Sequence, residues 1–78
     1  MKLTLTSEMI ERLPEKEKAF VKKQFEMSES LKDLEEVDMA EKMAPVLGLS
    51  VDEVIELNKN AWRRLGSMMF EDAEKDED

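Results

Sequence analysis

The groups in this sequence that could attack a substrate or carry a proton are serines, lysines and carboxylates, because histidine, cysteine and tyrosine are absent. The usual general base near neutral pH and the strongest side-chain nucleophile are therefore missing. Neighbouring carboxylates at Glu35 and Glu36, and at Asp52 and Glu53, could in principle divide acid and base roles. No spacing marks a third group to work with either pair, and a chain of 78 residues leaves little volume for a closed substrate pocket. There is no glycine-rich phosphate loop, no calcium loop with its required glycine, and no thiol or imidazole to hold zinc. These residues describe a noncatalytic protein that needs no metal or cofactor.

Charge is unevenly placed. Twenty acids against twelve bases give a net charge of −8. Residues 1–37 hold nine acids and seven bases, residues 38–70 five and four, and residues 71–78 six and one. The run from Glu71 to Asp78 cannot bury apolar surface and repels itself, so it is expected to be a disordered acidic tail. That tail would raise the cost of approaching phosphates, whereas the domain before it is close to balanced.

The elements that must position any site are helices. With two glycines and two prolines among many Glu, Lys, Leu, Met and Ala residues, few turns are punctuated and the expected class is all-α. The expected architecture is a small three- to four-helix bundle over residues 1–70 with the tail at 71–78. Lys2–Thr6 alternates like a strand but has no partner, and reads as an arm leading into a helix capped by Ser7. Pro14 opens a second helix, with Glu15 and Glu17 at its positive end, running to about Met27 with Phe20 and Phe25 inside. Ser28–Val37 reads as a connector with helical character. Asp38 is the expected cap of the next helix, which should kink at Pro45 or end near Ala44, with Gly48 as the stop. Ser50 and Glu53 then form a capping box, with Leu49 and Val54 as the flanking staple. The last helix should start at Val51 and carry Val54, Ile55, Asn58, Ala61, Trp62, Leu65, Met68 and Met69 along one face to about Phe70, with Trp62 anchoring the core.

Most methionines fall at helical spacing with other apolar groups, as gap-filling core residues do. Met68, Met69 and Phe70 differ, because they close the last helix where a small bundle runs out of core to cover them. With Ile55 they are the expected contacts for a protein partner. A core this small, with no disulfide or zinc to staple it, also permits a homodimer. No apolar run is long enough to span a membrane, and Met1–Thr6 is too short and polar for a secretory signal, so a cytoplasmic address is expected.

The stretch MAPVLGLSVDEVIELNKNAWRRLG resembles a helix-turn-helix, with small, glycine and branched residues at Ala44, Gly48 and Val54 where two helices would cross closely. Together with IERLPEKEKAFVKKQF upstream, the span from about Ile10 to Gly66 resembles region four of bacterial sigma factors. The resemblance rests on Leu13-Pro14-Glu15, Gly48-Leu49-Ser50 and Ala61-Trp62-Arg63-Arg64-Leu65, and places a helix-turn-helix-like unit at residues 38–66. It implies a transcription regulator that contacts promoter DNA or RNA polymerase. Where that family presents arginines to the major groove, this chain has Val51, Asp52, Glu53, Ile55 and Glu56, and carboxylates facing a phosphate backbone are repelled.

The sequence thus favours a noncatalytic helical module that binds protein, with RNA polymerase or a transcription regulator as the partner class. The first alternative is a DNA-binding helix-turn-helix using Ser50, Lys59, Arg63 and Arg64. The second is an acidic mimic that competes with nucleic acid for a basic protein.

Overall fold

A computed structural model of the chain describes residues 3–75. It is all-α, with five helices among the described residues: α1 (Ser7–Glu11), α2 (Glu15–Glu26), α3 (Ser28–Leu31), α4 (Glu36–Leu47) and α5 (Val51–Lys75). Two of the five, α1 and α3, are little more than single turns, which accounts for the difference from the three or four expected.

Local chemistry sets most helix ends. The cap of α1 is Thr6, not Ser7, and its side chain accepts a hydrogen bond from the Met9 amide at 3.3 Å. Pro14 precedes α2, and Glu15 and Glu17 occupy its first turn. The connector after α2 forms one helical turn and then reverses at Asp33, which takes a positive φ of 66°. Aspartate tolerates that left-handed conformation better than most residues do.

Helix α4 departs from expectation at its start and at Pro45, while its stop at Gly48 is the expected one. It begins at Glu36, so Asp38 lies within the first turn, where its carboxylate faces the positive end of the dipole and does not act as the cap. Pro45 is accommodated inside the helix, which continues to Leu47. Pro45 lies within the last turn and is exposed, so water can reach the Glu41 carbonyl that lacks an amide partner. Gly48, at φ 71°, then ends the helix, and the Leu49 amide bonds the Ala44 carbonyl at 3.0 Å. That six-to-one closure is a Schellman motif, with Leu49 packing back on the core.

The capping box forms as expected. The Glu53 amide donates to Ser50 Oγ and the Ser50 amide to Glu53 Oε1, both at 3.2 Å. From there α5 runs five residues past Phe70, through Glu71 to Lys75, and Ala73 is buried. The boundary expected at residue 70 is therefore passed without a break in the helix. The rest of the expected tail, residues 76–78, lies outside the described residues.

The core is built where α2 and α4 pack on α5, with α1 against α2 and the far part of α5. Phe20, Val21, Met43, Val54 and Leu65 are its largest fully buried side chains. Trp62 does not anchor this centre; it is half-buried at the core's edge. Phe25, expected inside, is 50% exposed. The two rings instead meet each other on one groove.

Candidate interaction groove

Phe25 near the end of α2, Leu31 of α3, Leu34 of the connector, Met39 of α4 and Trp62 of α5 line one open groove of about 360 Å³. Leu34 is 39% exposed, and with Phe25 it leaves a contiguous apolar surface in contact with solvent. The Phe25 and Trp62 rings meet edge to face, 6.2 Å between centroids and 72° between planes. That geometry places the positive ring edge against the negative face and favours the pair beyond its buried area.

A chain of hydrogen bonds holds the groove in shape. Trp62 Nε1 donates to Gln24 Oε1 at 2.9 Å, Gln24 Nε2 donates to Asn58 Oδ1 at 3.5 Å, and Asn58 Nδ2 donates to Glu36 Oε2 at 3.2 Å. Each amide uses its oxygen to accept and its nitrogen to donate, so its orientation is fixed, and the chain ties α2, α4 and α5 together. Asn58, which falls among the apolar positions of α5 in the sequence, is there as the central link.

The charged residues that line the groove are Lys32 and Glu36, and the chain segment around it is acidic. Residues 26–38 contain Glu26, Glu29, Asp33, Glu35, Glu36 and Asp38 against the single base Lys32, and all seven are exposed.

The residues singled out from sequence are distributed differently. Ile55, Met68 and Met69 are partly buried and pack against the core, and α1 and the joint before α2 lie beside the far part of α5 that carries the methionines; of that set only Phe70 is well exposed, at 51%. Ser50 is engaged in the capping box. Lys59 and Arg63 are exposed, and Arg64 Nε donates to Glu17 Oε1 at 2.9 Å. The structure brings Arg63 and Arg64 to one cleft together with Arg12, but neither Ser50 nor Lys59 lines it. The first turns of α5 instead present exposed Asp52, Glu53 and Glu56.

The two displaced titrations belong to a surface ion cluster and not to the groove. A hydrogen bond from Lys22, with its charge, holds the Glu11 carboxyl below its usual range. The hydrogen bond and charge of Glu15 raise the Lys18 ammonium. Among the described residues no group of three or more carboxylates is arranged to hold a metal ion, and no helix is long and apolar enough to cross a membrane.

No protein-family model matches the chain, and no curated protein or solved structure matches it either.

Proposed function

We propose that this protein is a noncatalytic helical module that works by binding another protein, and that the Phe25–Leu34–Trp62 groove is the contact surface. One observation carries the reading: an apolar groove left open to solvent is bordered by a hydrogen-bonded chain that links three helices. A preorganised surface loses little conformational freedom on binding, so more of its apolar burial becomes affinity.

The occupant is the apolar face of a helix whose flanks carry lysine or arginine. Apolar anchors suit the rings, and basic flanks suit Glu36 at the groove, the exposed carboxylates of residues 26–38 and the net charge of −8. A second copy of this chain would bring the same acidic segment and a net charge of −8 against itself, which disfavours a homodimer through this face. The sigma region four resemblance adds a setting, transcription, with RNA polymerase or a transcription regulator as partner. Duplex DNA has less support, since Asp52, Glu53 and Glu56 front the helix that would enter the groove of DNA.

Trp62 supplies the test, because it is the only tryptophan and there is no tyrosine. A synthetic amphipathic helix with lysine flanks should shift Trp62 emission to the blue in a saturable way, and the same helix with glutamate flanks should bind at least tenfold more weakly. Equal binding of the two peptides would remove the charge argument, and no response to either would remove the groove.

A further inference from the structure

We propose that a second site, on the opposite chemistry, binds a single phosphate monoester group. All three arginines of the chain, Arg12, Arg63 and Arg64, line one cleft of about 610 Å³, and none of the seven lysines among the residues whose side chains are described does. The joint between α1 and α2 supplies Arg12, Leu13 and Pro14, while α5 supplies Arg63, Arg64 and Ser67 one turn further on.

The selection of arginine matters chemically. A guanidinium is planar and presents paired N–H groups that match two oxygens of an oxyanion, which an ammonium cannot do. Arg64 is set in place from behind, since its Nε is taken by Glu17, which is itself 9% exposed, while the arginine side chain stays 55% exposed. Its terminal nitrogens remain for a ligand. Arg12 and Arg63 form no ion pair within 4.0 Å among the described residues. The buried Leu13 and half-buried Met68 beneath them limit the water that would weaken a charged contact.

The ligand is compact. Glu71 shares the cleft, and Glu8 and Asp72 lie with Arg12 on the neighbouring surface, so a chain of phosphates would set its other charges against carboxylates. One dianion with three acceptor oxygens avoids them and satisfies three forks. The chemistry is shared by free inorganic phosphate and by a phosphoserine on a polypeptide. The site is independent of the apolar groove and stands or falls separately.

The test follows the side-chain Nε–H signals of the three arginines by NMR at constant ionic strength, which requires no variant. Inorganic phosphate should shift them together and saturably, and a phosphoserine peptide should do so more tightly than inorganic phosphate, with its unphosphorylated form inert. Arg12→Lys and Arg63→Lys keep the net charge and occupy exposed positions, so the helical circular dichroism should be unchanged while phosphate affinity falls about tenfold. Glu71→Gln should tighten binding. Lysine variants that bind phosphate as well as the parent, unshifted arginine signals, or a short DNA duplex binding more tightly than the phosphopeptide would each overturn the proposal. Inorganic phosphate binding without any gain from the peptide would locate the source as the free ion and leave the arginine site standing.

Discussion

Arg64 donates its Nε proton to Glu17 at 2.9 Å, joining the longest helix to the one buried carboxylate among the described residues. The pair is asymmetric: the acid is nearly enclosed and the base is more than half exposed. Arg64→Ala therefore strands a carboxylate and should destabilise the domain by about 1–2 kcal/mol, discounted because water reaches the guanidinium side. Glu17→Gln keeps an acceptor for the same donor and should cost less. Urea denaturation of the two variants measures the difference; equal losses would mean that the carboxylate is not held by Arg64.

The core has little redundancy. Phe20 and Leu65 are fully buried, and replacing either with alanine should cost about 3–5 kcal/mol, a large part of the roughly 5–15 kcal/mol that holds a domain together. Phe70→Ala, half exposed at the far part of α5, should change stability by less than about 0.5 kcal/mol. Thermal melts followed by circular dichroism separate these outcomes.

The turn between α4 and α5 gives predictions of both signs. Gly48 adopts a left-handed φ of 71° and an added Cβ would meet nothing within 4 Å, so the whole cost of Gly48→Ala is backbone strain, about 1 kcal/mol. Ser50→Ala removes the cap and should also cost about 1 kcal/mol. Pro45→Ala should stabilise by about 1–2 kcal/mol, since it restores an amide to the last turn of α4, partly offset by a more flexible unfolded chain. A destabilised Pro45→Ala would show that the ring contributes packing that the exposed position does not suggest.

Glu11 predicts a pH effect. Its carboxyl titrates lower when folded than the ordinary 4.5, chiefly through the hydrogen bond from Lys22, so it adds stability above that value and loses it as pH falls through the lowered one. Glu11→Gln should be less stable than the parent at pH 7 and equal to it once both chains are fully acidified. Because these groups are on the surface, salt should also narrow the gap. A difference that persisted at low pH would point to a lost contact other than the charge.

Much of the framework was legible in the residues. Ser50 and Glu53 are a local, three-residue signal, and Gly48 can take a left-handed φ that few residues tolerate, so the joint of α4 and α5 follows from the sequence alone. The break at Pro14 followed for the same reason. What was not legible depends on long-range packing. Phe25 and Phe20 look alike by periodicity, yet one is half exposed and the other enclosed, because burial is decided by which neighbours arrive. Met68 and Met69 look like an uncovered end until α1 and the Arg12–Pro14 joint are placed beside them. The groove left one weak trace: Asn58 on an apolar face, opposite Gln24 on another helix, is a polar residue that needs a partner. Nothing in the spacing could announce that Trp62 would complete the chain from 38 residues away.

Charge reversal at one ring tests the groove most directly. Phe25→Glu sits at an exposed position and should leave the helical signal intact while abolishing the Trp62 response to the lysine-flanked helix, whereas Phe70→Glu should leave that response unchanged. Binding that survives Phe25→Glu and is lost in Phe70→Glu would move the contact surface to the far part of α5 and rule out the groove as the docking site.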